Sequence, residues 1–177
     1  MIRYQDAISA ARALIGTPYA ELDCINVIKK IIRVAPGGVK GYTTAGTNSL
    51  WKSFTMSKKY KDLTWRQEGI KGAKAGMLAF KVRGNDVHHV GIVTESGTVI
   101  HGSSVLGYTA ETPLDEEEGW MLLAIHRYIN PADESVTAEN NGTEGKEQTS
   151  SQITIVDSEN NMFVPVGDFR VLVGSVD

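Results

Sequence analysis

The stretch "VHHVGIVTESGTVIHGSS", residues 87–104, decides how the chain folds. Two runs rich in Val and Ile flank Glu95-Ser96-Gly97. Apolar, β-branched runs broken by a short loop ending in Gly read as a β-hairpin with a type I turn and a bulge. That loop pairs Thr94 with Thr98. Counting back sets Gly91 opposite His101 and His89 opposite Ser103, because cross-strand partners share a sheet face. His89 and His101 become diagonal neighbours, and Gly91 removes a side chain that would crowd them. His88 points to the other face and reads as a solvated residue or a support for its neighbour. A two-residue loop would put the two imidazoles on opposite faces, so the pairing stands on loop length.

Working outward, further strands are expected at 77–82 and 119–128, around hairpin strands at 87–94 and 98–104. The chain before them is helical in pattern. Ala7, Ile8, Ala11, Leu14 and Ile15 follow helical spacing and predict a helix over 4–15, with Gly16 as its cap and Pro18 as a stop. Val27, Ile28, Ile31 and Ile32 predict a second helix from about Asp23 to Val34, ended by Ala35-Pro36-Gly37-Gly38. A third is expected over 48–58, with Leu50, Trp51 and Phe54 inward. Helices first and strands second imply an α+β domain with an antiparallel sheet.

The second helix opens on the chain's sole cysteine, Cys24, preceded by Asp23 in "GTPYAELDCINVIKK", residues 16–30. A lone Cys is commonly a small buried hydrophobe. A thiol at a helix start has another use. The helix N-terminus favours thiolate, a nearby imidazole takes the proton, and backbone N–H groups at the start can hold an oxyanion. A second imidazole would hold the first in the productive tautomer. His126, in the last strand, reads as an ordinary partly buried histidine. Adjacent His88 and His89 diverge on a strand and form no chelating pair, so neither metal nor cofactor is expected. Trp51, Trp65 and Trp120 read as core or cleft-edge aromatics.

Composition narrows the classes. The 177 residues carry a formal net charge of −3, which offers no basic field for nucleic acid. One cysteine excludes an intramolecular disulfide framework. No run is long and apolar enough to predict a membrane span, and the N-terminus lacks a secretory pattern. Work on a cell wall would then need a phage, secretion-system or trimmed-signal route; otherwise a cytoplasmic location is expected.

Four blocks in order resemble the NlpC family of papain-like cysteine peptidases over roughly residues 5–128: "ALIGTPYAELDC", "GAKAGMLAFK", "HHVGIV" and "TVIHGSS". The resemblance implies a papain-like fold, with Cys24 as nucleophile, His89 as base and His101 as its orienting partner. It implies that Tyr19 and Asp23 shape the pocket and recognise a peptide's amino end. It also implies a peptidoglycan stem peptide or similar short peptide as substrate, cut between D-glutamate and a diamino acid. The chain departs from the family pattern where Ile25-Asn26 replace Ser-Gly after the cysteine, where a Trp-Gly-Gly stretch is missing, and where Ala75-Gly76-Met77 replace Pro-Gly-Asp. Residues 39–70 could form a wall of the cleft. Two other readings use the same fold: a non-catalytic binding or structural module of a phage tail or secretion assembly, and an amidase or acyltransferase with the same triad.

After Asn130 the composition turns polar. A peptidase domain is expected over 1–130, a polar linker over 131–152 and a β-strand tail over 153–177. So short a tail cannot build a core alone. It is expected to pair with an exposed edge, in this molecule or through self-association with a neighbour.

Overall fold

The computed structural model describes residues 1–52 and 63–136, together with the backbone of strands at 155–156, 161–166 and 169–175. Phe54 and the rest of 53–62, together with residues 137–154, lie outside the described residues. Two compact units divide the chain, Met1–Asn141 and Gly142–Asp177.

The first unit is α+β. Its elements are β1 (Ile2–Arg3), α1 (Tyr4–Arg12), α2 (Cys24–Val34), α3 (Thr47–Trp51), β2 (Leu63–Glu68), β3 (Leu78–Arg83), β4 (Asp86–Val93), β5 (Thr98–Ser103), β6 (Tyr108–Pro113), β7 (Trp120–His126) and β8 (Ile129–Asn130). Six strands form one sheet in the order β2-β7-β3-β4-β5-β6, and every pairing in it is antiparallel. The sequence pattern found β3, β4, β5 and β7 to within two residues. It missed β2 and β6, which carry few of the Val and Ile residues that mark a buried strand.

The helices use the faces their spacing predicts. Ala7, Ile8 and Ala11 of α1 are buried. The helix ends at Arg12, short of the expected Ile15, which is exposed. Gly16 does not cap the helix; with φ at +89° it turns the chain so that its N–H reaches Thr109 O at 2.8 Å on β6. In α2 all four predicted apolar residues are buried, joined by Cys24 and Ile25. These pack with Leu78, Phe80, Val90, Ile92 and Ile100 on one side of the sheet. The opposite side buries Met77, Ala79, Val93, Val99, Trp120 and Leu123. Burial on both sides explains why β3 to β5 read as nearly continuous apolar runs. No helix among the described residues is long and apolar enough to cross a membrane.

Residues 131–136, expected to open a linker, instead run along 73–75. Ala132 N–H donates to Ala75 O at 2.9 Å, and Val136 N–H to Ala73 O at 2.6 Å. In the second unit, β9 (Ile155–Val156), β10 (Asn161–Val166) and β11 (Phe169–Ser175) pair with one another in the order β11-β10-β9.

His126 is fully buried rather than partly so. Tyr128 N–H donates to its Nδ1 at 3.3 Å, so the neutral ring carries its proton on Nε2, facing Tyr42 Oη at 2.9 Å. Burial pushes its pKa down to about 3, and the Arg127 charge adds to the effect. The unfolded ring binds a proton below about pH 6.5 and the folded one resists it, so stability falls as pH drops through that window. Each such histidine should cost about 1.5 kcal/mol between pH 6.5 and 5. Melting temperature should fall over this range, and His126→Gln, which cannot titrate, should flatten the slope in a pH series of thermal melts.

Candidate active site

The β4–β5 hairpin has the expected loop. Thr94 N–H donates to Thr98 O at 2.8 Å, and Gly97 takes φ +69°. The ladder pairs Ile92 with Ile100 and Val93 with Val99, the register counted from the sequence. A side chain at Gly91 would place its Cβ 2.3 Å from Val99 Cγ1 and 3.0 Å from His101 Cβ. With Gly there, the two rings meet: His89 Nε2 lies 2.7 Å from His101 Nδ1, with the ring planes at 86°. Between β3 and β4, Lys81 pairs with His89 and Val82 with Val87, leaving His88 as the extra residue of a bulge. Bulges re-aim neighbouring side chains. His88 is exposed, its ring centroid 6.4 Å from that of His89.

Three residues not singled out as site residues in the sequence box in this pair. Trp120 packs against both rings, at 5.7 Å from His89 and 5.2 Å from His101. Lys81 Nζ sits 4.5 Å above the Trp120 ring and 3.7 Å from Glu118. Thr112 Oγ1 lies 3.2 Å from His101 Nε2. In sequence, Trp120 reads only as an aromatic of core or cleft edge. Thr112 belongs to the unrecognised β6, and Lys81 shows its placement only through strand register.

Cys24 is the first residue of α2. Asp23 is its N-cap, accepting a 2.9 Å bond from Asn26 N–H through Oδ1. The helix start lies flat on β5 because Gly102 has no side chain. A Cβ there would fall 2.8 Å from Leu22 O and 3.0 Å from Cys24 N. A Gly inside a strand pattern signals such close backbone approach, and "HGSS" carried that signal. The sulfur is buried. Burial pushes its pKa up and Asp23 adds to this, against the downward pull of Val90 N–H, the Thr47 hydroxyl and Ile25 N–H. The thiol thus reaches the backbone beside His89, but it is hydrogen-bonded to neither imidazole. Tyr19 is half-buried; burial first, then the charges at Cys24 and Asp23, push its hydroxyl pKa up.

The histidines favour their neutral forms. Burial, then the charges of His101, Lys81 and His88, bring His89 down to about 3. Burial and Lys81 bring His101 to about 4, against a raising contact from the backbone at Gly102. The expected depression of the thiol by its helix start is outweighed by burial. On their own terms the groups rest as thiol and imidazole. Within the described part of 39–70, α3 supplies Trp51 to a cavity of about 780 Å³ that also touches Val82, Val87, Leu122 and Trp120.

No family model matches the chain, and no curated protein matches it in sequence. Solved structures do match. The peptidoglycan hydrolase RipB from Mycobacterium tuberculosis aligns with 71% of this chain and 65% of its own, at 16% identity and a TM-score of 0.51. The NlpC/p60 domain of the peptidoglycan hydrolase SagA aligns with 68% of this chain and 97% of its own, at 20% identity and a TM-score of 0.46. The chain thus shares its fold with RipB, and that fold is the α+β arrangement of helices on an antiparallel sheet expected from the sequence.

Gly102→Ala should force the helix start off β5. We expect a loss of about 1–3 kcal/mol in denaturant unfolding, the usual cost of overpacking, and a change in Cys24 alkylation rate.

Proposed function

We propose that the chain is a cysteine peptidase that hydrolyses an amide bond in short peptides, with peptidoglycan stem peptides as substrate and the D-glutamyl–diamino acid bond as target. The observation that carries this reading is the 2.7 Å bond between His89 and His101, on a strand whose next residue, Val90, meets the sulfur of the sole cysteine through its backbone N–H. The wall-peptide assignment rests on the sequence resemblance and on a fold shared with RipB, itself a peptidoglycan hydrolase.

The bond to His101 occupies Nε2 of His89 and leaves Nδ1 as its base. As Cys24 Sγ attacks the scissile carbonyl carbon, Nδ1 takes the thiol proton, so charge appears only with the attack. The carbonyl π electrons move to oxygen. The N–H of Cys24, in the first turn and without an intrahelical acceptor, is assigned to receive that oxyanion. When the tetrahedral intermediate collapses, the C–N bond breaks and His89 returns its proton to the leaving amine. Water, deprotonated by His89, then attacks the thioester and releases the acid and free thiol. Tyr19 and Asp23 flank the thiol and are assigned to the peptide's amino end. Asp23 keeps Oδ2 for this, since Oδ1 is engaged in the cap.

A second reading, a non-catalytic module on the same fold, is favoured by one feature: burial holds the thiol in its protonated form. Substrate cleavage separates the two. Muropeptides of defined structure incubated with the protein should yield fragments ending in D-glutamate by mass spectrometry. Cys24→Ala and His89→Ala should each lower that rate by about a thousandfold or more, with the melting temperature little changed. Full activity in Cys24→Ala would remove the nucleophile assignment, and inert wild-type protein would favour the binding module.

A further inference from the structure

The His89–His101 pair does not end at His101. The second nitrogen of that ring, Nε2, faces Thr112 Oγ1 at 3.2 Å across the β5–β6 ladder. Thr112 pairs with Val99, and His101 with Ala110, so the threonine lies diagonally from the ring on one face. His101 is almost wholly buried, and Trp120 closes over both rings. Protein groups, not bulk water, therefore decide where the protons of this pair sit.

Two neutral imidazoles joined by one hydrogen bond have two proton arrangements. In the first, His89 carries its proton on Nε2 and donates to His101 Nδ1; His101 then carries its own on Nε2. In the second, His101 donates from Nδ1, and His89 must hold its proton on Nδ1. Only the first leaves His89 Nδ1 with the lone pair needed to accept a proton from the thiol. It requires an acceptor opposite His101 Nε2–H, and a buried N–H without one is costly. When His89 gains the thiol proton, both its nitrogens carry hydrogen, and the same arrangement is demanded more strongly. His101, with a pKa near 4, stays neutral and passes no charge onward.

We propose that Thr112 is a positioning residue: its hydroxyl oxygen accepts from His101 Nε2–H and so fixes the tautomer in which His89 is a base. The proposal rests on the reading of Cys24 and His89 given above, and it adds a fourth member to that line of groups. The hydroxyl, not the size of the side chain, carries the role. Val has nearly the same shape and offers no acceptor, whereas Ser keeps the oxygen.

Alkylation of Cys24 by iodoacetamide reports the line directly, because the chain has one thiol. Rates are measured on the full chain from about pH 5 to pH 9 for wild type, His89→Ala, Thr112→Val and Thr112→Ser. The charges facing the groups are those of Lys81, Glu118 and His88 around the rings, and of Asp23 and Tyr19 around the sulfur; all are unchanged across the set. At pH 7 Thr112→Val should react about tenfold more slowly than wild type, and Thr112→Ser within about twofold of it. The pH at which Thr112→Val begins to react should move toward that of His89→Ala. If His89→Ala is slowed and Thr112→Val is not, the threonine role is overturned while the base assignment stands. If Thr112→Ser is as slow as Thr112→Val, the residue acts by packing and the proposal also fails. If His89→Ala leaves the rate unchanged, the underlying base assignment fails first. Should Thr112→Val not fold, imidazole 15N shifts of the wild-type protein decide. A proton on His101 Nε2 supports the proposal, and one on His101 Nδ1 overturns it.

Discussion

The start of α2 can touch the sheet only because residue 102 is a glycine. Helices normally ride on a sheet with a layer of side chains between them. Here the backbone of Leu22 to Cys24 lies where a Cβ of residue 102 would be. That contact sets the depth of the sulfur, and the depth sets which strand atoms it meets: the N–H of Val90 rather than solvent. His89 precedes Val90, and Gly102 follows His101. The close approach thus fixes the thiol relative to both histidines through two strands. Gly91 performs the matching service between the strands, clearing the space in which the imidazoles meet.

The electrostatics of the site argue against charge held at rest. Burial disfavours a thiolate and an imidazolium alike, and Lys81 adds positive potential beside the rings. Glu118 offsets some of that potential, but at 3.7 Å and partly in solvent it is a weak partner. What the surroundings provide are dipoles aimed at charge yet to form: N–H groups at the sulfur and an imidazole nitrogen behind His89. Preorganised dipoles of this kind stabilise charge as it develops without holding it in the ground state.

The parts of this arrangement legible in the sequence were those governed by short-range rules. A three-residue loop fixed the hairpin register, and register put His89 and His101 on one face. Helical spacing found the buried side of α2. What stayed hidden depended on contacts distant in the chain. Thr112 and Lys81 become neighbours of the histidines only through sheet order, which strand patterns do not state. β6, "YTAETP", has too few apolar residues to announce a strand. The end of α1 was placed too late because Ile15 fits helical spacing, while the turn to β6 at Gly16 is a tertiary event. The state of the thiol is hidden for a related reason: the helix start is visible in sequence, but the burial that overrides it is not.

One further consequence follows from the pairing of Ile2 with Ile129. The first strand is parallel to a partner near the far end of the domain, and Ala132 and Val136 close on Ala75 and Ala73. During synthesis, β1 must therefore wait for almost the whole domain to emerge before it finds its place. Closing so large a loop is entropically slow, and such topologies fold late and cooperatively rather than segment by segment. Nascent chains shorter than this would expose Ile2 and the side of α1 that it helps to bury.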